Sequence, residues 1–160
     1  MVDIKRAEQG DWELVRDIRL RALAESPDAF SVLHAQALAH PDELWRERLR
    51  GPNPTVVAVH DERAVAMGGG FAPPDDPRTA MVWGMWTDPA FRGQALGRRI
   101  LGDVVAWAHA AGRTPYLHVT EGNDGARALY VSCGFEPTGV WEPLREGSGL
   151  QVEEMVLRRG

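Results

Sequence analysis

The sequence has one cysteine among its 160 residues. A single cysteine excludes an internal disulfide framework and a zinc site made of several cysteines. No apolar run approaches the ~18–20 residues that cross a bilayer, and the first residues lack the apolar segment of a signal peptide. A net charge of −5 argues against a general nucleic-acid binder, because neutralising phosphates needs a basic surface. We therefore expect one cytoplasmic domain over residues 1–160, with neither a membrane nor a nucleic acid as partner.

A hydrophobic fraction of 44% is enough to fill a core. Alternating or β-branched segments predict strands near residues 2–7, 55–60, 63–72, 79–87, 116–120 and 151–158, with one more near 135–142. Apolar residues at helical spacing, together with capping residues, predict helices over about 11–24, 41–50, 94–111 and 123–133. Residues 28–40 fit neither pattern. This order of elements predicts an α/β or α+β domain with a mixed sheet.

Residues 86–101 combine the end of a strand, a proline turn, a loop of small residues and an amphipathic helix. The backbone N–H groups of Arg92 to Gly97 can converge on an anion there, and the helix N-terminus adds partial positive charge. Arg98 and Arg99 add cations beside the loop. The segment therefore predicts a diphosphate site, although a glycine turn with solvated arginines explains the loop alone equally well. The Ser/Thr and Lys of a nucleotide-hydrolysing P-loop are absent, so NTP hydrolysis is not expected.

A second segment follows one strand later and runs from Asn123 through Tyr130 to Gly134-Phe135. Together the two segments resemble the two main motifs of the GNAT superfamily of N-acetyltransferases, specifically over residues 80–135. The family's acyl-CoA loop reads [RQ]-x-x-G-x-[GA], and this chain has Arg92-Gly93-Gln94-Ala95-Leu96-Gly97, with Ala95 where the family most often has glycine. The resemblance implies a mixed, mostly antiparallel central sheet with two splayed parallel strands, flanked by about four helices.

The resemblance also implies the residues that bind acetyl-CoA. Pantetheine would lie between the splayed strands and contact Met85, Trp86 and Thr87, largely through the backbone, where an N–H would polarise the thioester carbonyl. The pyrophosphate would be held by the loop and the start of the helix, that is by Arg92, Gly93, Gln94, Ala95, Leu96, Gly97 and Arg98. Asn123 would contact the pantetheine arm, or serve as a plain helix cap.

Two residues are implied in catalysis. Tyr130 matches the family tyrosine that protonates the departing thiolate, and the ordinary phenol pKa of ~10 is close to that of the thiol; a core tyrosine is the alternative. His118 stands where some members carry a glutamate, and an imidazole can accept the amine proton; a histidine packed between sheet and helix is the alternative. Glu121 or a chain of waters could also act as base. No metal is expected, since the histidines show no ligand spacing.

The implied reaction is direct transfer of an acetyl group to a primary amine of a small molecule or peptide. The acceptor would meet residues 25–40 and the hairpin near 68–71, with Glu25 either pairing with a cationic amine or lying as an ordinary surface charge. Trp83 and Trp86 could wall the acceptor pocket or pack the sheet. Dimerisation of the chain stays open. The alternative function is a non-catalytic acyl-CoA-binding regulatory module, favoured by Ala95 and by the lack of a carboxylate in residues 80–86; a domain for another phosphate ligand is a third.

Overall fold

Seven strands form one sheet in the order β1-β2-β3-β4-β5-β7-β6 in the computed structural model, which describes residues 1–158. The strands are β1 (Asp3–Arg6), β2 (Thr55–His60), β3 (Arg63–Phe71), β4 (Thr79–Thr87), β5 (Thr114–Thr120), β6 (Glu136–Pro143) and β7 (Gln151–Val156). The helices are α1 (Trp12–Glu25), α2 (His34–Leu38), α3 (Asp42–Glu47), α4 (Leu96–Ala110) and α5 (Asp124–Ser132). Neighbouring strands are antiparallel except β4 and β5, which are parallel. The expected fold class is confirmed.

Several boundaries differ from the sequence-based expectation. The unassigned residues 28–40 contain the short helix α2, which makes five α-helices in the described chain rather than about four. The helix expected from residue 94 begins at Leu96 because Ala95 adopts the left-handed conformation, with φ 61°, which an α-helix cannot include. The helix expected over 41–50 ends at Glu47. Over residues 1–158, the helices are too short or too polar to cross a membrane.

Two hydrophobic clusters cover the two faces of the sheet. Along β2, Val56 and Ala58 join the cluster that contains α4, whereas Val57 joins the cluster that contains α1. Successive side chains of a strand point to opposite faces, so a strand covered on both sides is apolar at every position. The run of β-branched residues in β2 therefore reflects a central strand between two helical layers.

The parallel pair β4–β5 is joined only at its beginning. Backbone pairing runs from Thr79 and Thr114 to Met81 and Tyr116, and the rest of both strands is unpaired with the other. Gly84, at φ 69°, lies in a β-bulge where β4 has one residue more than β3. The two strands thus splay apart beyond Met81, as the resemblance implied.

Candidate functional site

A cavity of about 580 Å³ lies between the end of β4, the start of α4 and α5. We call it the α4 cavity. Most of the expected cofactor-binding residues line it, namely Met85, Trp86, Thr87, Arg92, Gly93, Ala95, Leu96, Gly97, Arg98 and Asn123, and so does the expected proton donor Tyr130. Gln94 and His118 are not among its lining residues. The fold thus gathers two motifs that are about thirty residues apart in the sequence.

The N-terminus of α4 is open to this cavity. The left-handed Ala95 precedes the helix without a side-chain cap, and the first turn carries no acidic residue. The first N–H groups of a helix have no intrahelical partner, and the helix dipole favours an anion beside them. Gly93 has φ 86°, and no atom lies within 4 Å of where its Cβ would be. Open space, free donors and partial positive charge together fit the diphosphate of coenzyme A.

Two arginines border the α4 cavity, and both are held by the protein. The Nε of Arg92 donates to the Thr87 carbonyl at 2.9 Å. The Nη2 of Arg98 donates to the Ser132 hydroxyl at 2.6 Å. Arg99, the third arginine of the segment, is not among the lining residues. Two guanidinium groups therefore stand in fixed positions near the open helix terminus.

Glu25, at the end of α1, has a structural part that the sequence did not reveal. Its Oε2 accepts a hydrogen bond from Trp86 Nε1 at 3.0 Å and pairs with Arg92 Nη2 at 3.3 Å. Hydrogen bonds from the Ser26 hydroxyl and Trp86, and the charge of Arg92, hold the Glu25 pKa below its usual value. The carboxylate thus links α1 to the α4 cavity, rather than lying as an unpaired surface charge. No local signal marks this contact, because Glu25 and Trp86 are far apart in the sequence.

A narrow cavity of about 50 Å³ lies in the splay between β4 and β5. We call it the splay cavity. It shares Met85, Asn123, Ala126 and Tyr130 with the α4 cavity. At its other end it shares Phe30, Val82, Trp83, Gly84 and His118 with a third cavity of about 340 Å³, the Trp83 cavity. The three cavities therefore adjoin one another in a row from the N-terminus of α4, through the splay, to the α1 side of β4, and we call this row the path of cavities.

Tyr130 borders the first two cavities and is 7% exposed. Burial, followed by the neighbouring Cys133 thiol, raises the pKa of Tyr130 to about 12. The expectation of an ordinary phenol pKa is therefore wrong for this residue, because burial disfavours the phenolate. The hydroxyl stays protonated at neutral pH and can act as a hydrogen-bond donor.

Asn123 caps α5, since its side-chain oxygen accepts from the Ala126 N–H at 3.4 Å, and it also borders both cavities.

His118 borders the splay and Trp83 cavities from β5. Its side chain is 31% exposed, and its Nε2 lies 3.7 Å from Glu154 Oε2. The other oxygen of Glu154 accepts from the Thr138 hydroxyl at 3.0 Å, which fixes the carboxylate. Glu121, the other candidate base, accepts the Gln151 N–H and lines none of the three cavities. Within residues 1–158, no three His, Cys, Asp or Glu side chains cluster as metal ligands do.

The Trp83 cavity lies on the α1 side of β4. Phe30 and Trp83 line it, as do Arg19 from α1 and Glu142 from β6. The hairpin near 68–71, expected to meet the acceptor, is not among the lining residues. Arg145 donates to the Phe30 carbonyl at 2.9 Å and so ties the segment after α1 to the loop before β7. The sequence analysis expected Trp83 and the range 25–40, which contains Phe30, near the acceptor, but it missed Arg19, whose side chain gives no local signal.

Two splayed parallel strands beside the open N-terminus of α4 are the arrangement that the resemblance implied for an acyl-CoA-binding domain. Residues 15–135 match the family model described as the acetyltransferase (GNAT) family. This match covers more than half of the chain, which therefore belongs to the GNAT acetyltransferase family.

Two curated relatives match part of the chain. The N-alpha-acetyltransferase RimI of Mycobacterium tuberculosis is 43% identical over 68 residues, which are 42% of this chain and 42% of the relative. The uncharacterized protein ML0378 of Mycobacterium leprae is 45% identical over 72 residues, which are 45% of this chain and 19% of the relative. The matches thus span less than half of the length of either relative.

Solved structures match the whole chain. A GNAT-family acetyltransferase from Streptococcus pneumoniae superposes with a TM-score of 0.85 at 19% identity, covering 99% of this chain and 100% of that one. Arabidopsis thaliana NAA60 in complex with acetyl-CoA superposes with a TM-score of 0.72 at 13% identity, covering 98% and 97% of the two chains. At these identities the likeness establishes the fold.

Proposed function

We propose that the protein transfers an acetyl group from acetyl-CoA to a primary amine of a small molecule or peptide, with both substrates bound together. The observation that carries the proposal is the path from the N-terminus of α4 through the splay to the Trp83 cavity, with Tyr130 and His118 along it. Family membership and the N-alpha-acetyltransferase among the relatives support the reaction class. We also propose that residues 1–160 form one domain, because all seven strands of the described chain lie in one sheet.

Acetyl-CoA supplies the acetyl group as a thioester when bound. In this proposal the backbone of Arg92 to Gly97 binds the pyrophosphate at the open start of α4, and Arg92 and Arg98 add positive charge. Met85 to Thr87 hold the pantetheine arm, since β4 has unpaired backbone groups beyond the end of its ladder with β5. A backbone N–H of that stretch stabilises the negative charge that develops on the thioester oxygen.

The transfer forms a nitrogen–carbon bond, breaks the carbon–sulfur bond, removes one proton from the amine and leaves negative charge on sulfur. We assign Tyr130 as the donor to sulfur. Its pKa of about 12 exceeds the ~8.5 of an ordinary thiol by ~3.5 units, so complete transfer to a free thiolate is uphill by ~5 kcal/mol. Tyr130 therefore acts chiefly by donating a hydrogen bond to the departing sulfur.

We assign His118 as acceptor of the amine proton, with Glu154 stabilising the imidazolium.

The test is release of free CoA from acetyl-CoA across a panel of amines. Tyr130→Phe removes only the hydroxyl and should lower kcat by about 100-fold or more, as the loss of a hydrogen-bond donor to developing negative charge does. Tyr116→Phe makes the same change in β5, at a tyrosine that lines none of the three cavities, and serves as the matched control. Unchanged turnover in Tyr130→Phe would exclude Tyr130 as the donor. Acetyl-CoA binding by calorimetry, without turnover on any amine, would favour the non-catalytic module. Thermal stabilisation by nucleotides but not by CoA would favour a domain that binds another phosphate ligand.

The base is tested separately by the pH dependence of the rate. His118→Ala should lose the acidic limb of the pH–rate profile, because the group whose protonation blocks attack is gone. Glu154→Gln should lower kcat, since the carboxylate 3.7 Å from Nε2 no longer stabilises the imidazolium that forms during the reaction. If the limb is identical in the wild type and in His118→Ala, the base is another group or water.

A further inference from the structure

We propose that the acceptor amine also carries a carboxylate or a similar anionic oxygen group, and that Arg19 binds this group in the Trp83 cavity. The inference deepens the proposed function and rests on it for the identity of the reaction. It starts from a cation without a counter-charge. Arg19 lines the cavity, and its Nη1 is buried without a hydrogen-bond partner in the described chain.

The contrast with a neighbouring arginine shows what Arg19 lacks. Arg21, two residues further along α1, pairs with Asp17 at 2.9 Å and with Asp88 at 2.6 Å. Arg19 has no carboxylate beside it in residues 1–158, and the closest charge that influences it is the like charge of Arg48. Burial, followed by this repulsion, lowers the pKa of Arg19 to about 10, so the group is still a cation at neutral pH. A buried charge without a partner is costly, and an anionic ligand would offset that cost.

The guanidinium is also held in a fixed orientation. Its central carbon lies 5.0 Å from the centre of the Phe30 ring and 5.5 Å from that of Trp83. Cation–π contacts with two rings restrict the position of the guanidinium, and its planar shape suits two-pronged recognition of a carboxylate. A Cβ on Gly84 would lie 3.4 Å from Nη1, so the guanidinium reaches the bulge of β4. Arg19 is therefore preorganised next to the splay where the acetyl group is transferred.

The surroundings restrict the rest of the acceptor. The cavity of about 340 Å³ has the size of a small-molecule site. Apolar side chains form much of its wall, including Phe30, Met81 and Leu144. Among the described residues that line it, Glu142 is the one carboxylate, and it is exposed at the rim. An apolar amino acid fits this combination, with its amine towards His118 and its carboxylate on Arg19.

The experiment compares acceptors that differ only in the anionic group. Leucine, methionine and phenylalanine are each assayed beside the matching amide, the decarboxylated amine and the aminophosphonate, by CoA release. The wild type should favour the amino acid over its amide by about 10- to 100-fold in kcat/KM, the worth of hydrogen bonds to a charged group. An aminophosphonate that equals or exceeds the carboxylate identifies the anion as a phosphoryl group, which Arg19 would bind in the same way.

Variants of Arg19 test whether this residue causes the preference for the anionic acceptor. Arg19→Met should abolish the preference, because it should lower kcat/KM on the amino acid by about 10- to 100-fold more than on the amide, and Arg19→Lys should keep part of the preference. Arg16→Met, one turn earlier on α1 and outside the Trp83 cavity, controls for loss of an arginine from the helix. A wild type without preference for the anionic acceptors would overturn the inference. An equal decrease in kcat/KM on the acid and the amide in Arg19→Met would also overturn it.

A binding measurement separates this inference from the proposed function. N-acetyl-leucine and N-acetyl-leucinamide are titrated calorimetrically into the wild type and Arg19→Met in the presence of CoA. If no amine is acetylated but the acid binds at least tenfold more tightly in an Arg19-dependent manner, the proposed function fails and the anion site stands. Equal affinities for acid and amide in the wild type would overturn the anion site whatever the turnover.

Discussion

Replacement of Gly69 by alanine tests how β3 holds Trp83 at the edge of its cavity. A Cβ at residue 69 would lie closer than 3.0 Å to three atoms of the Trp83 indole. The ring cannot swing away without leaving Arg19, which stacks on it at 5.5 Å. Forcing an extra methyl group into a packed site costs about 1–3 kcal/mol. Alanine regains about 0.5–1 kcal/mol of the entropy that glycine loses in a strand. We expect a net destabilisation of about 0–2.5 kcal/mol.

Urea unfolding measures this change, with Gly102→Ala as the control. Gly102 lies in α4 with no atom within 4 Å of its Cβ position, so alanine there should stabilise by about 0.8–1 kcal/mol. Under the proposed function, Gly69→Ala should also raise the KM of the acceptor, because Trp83 lines the cavity in which we propose that the acceptor binds. Gly70→Ala meets Trp107 of α4 instead and should destabilise with less effect on that KM. If Gly69→Ala were as stable as Gly102→Ala, the close packing of the indole on β3 would be refuted.

Three further variants test individual parts of the structure. Ala95→Gly should raise the free energy of unfolding in urea by about 0–1.5 kcal/mol. Glycine removes the strain of a left-handed alanine, about 1–2 kcal/mol, but makes the unfolded chain more flexible, which costs about 0.4–1 kcal/mol. A decrease in the free energy of unfolding above about 1 kcal/mol would contradict this. A hydrogen bond from the Ala90 N–H holds the pKa of Asp88 in the folded protein below its usual value of 3.8. The stability that the Asp88 carboxylate contributes is therefore complete above pH 3.8 and is lost as the pH falls through the pKa of the folded state. Asp88→Asn should flatten the acid limb of the curve of unfolding free energy against pH. Arg127→Met leaves Glu153, whose side chain is 10% exposed, without its partner at 2.9 Å, and should lower the free energy of unfolding measured in urea. A double-mutant cycle with Glu153→Gln that shows no coupling would exclude this pair as a source of stability.

The sequence predicts the α4 cavity better than the Trp83 cavity, for a physical reason. An anion at a helix N-terminus is bound by consecutive backbone groups, so one short segment contains most of the information. The residues from Arg92 to Gly97 can therefore be identified as a candidate anion site without knowing the tertiary structure. Arg19 becomes informative only when the absence of a nearby carboxylate is known, and that depends on the packing of the whole domain. Glu25 is similar, because its partner Trp86 lies on a different element.

The tryptophans of β4 show how one irregularity of the backbone changes the prediction. Trp83 and Trp86 are three residues apart, so strict alternation along a strand would place them on opposite faces of the sheet. Both lie on the α1 face instead, while Val82 and Met85 both lie on the α4 face. The extra residue of the bulge at Gly84 causes this, because a shift of one residue reverses the face of every following side chain. The bulge therefore gives the α1 face one indole beside the Trp83 cavity and one beside the α4 cavity, at the point where the strands splay.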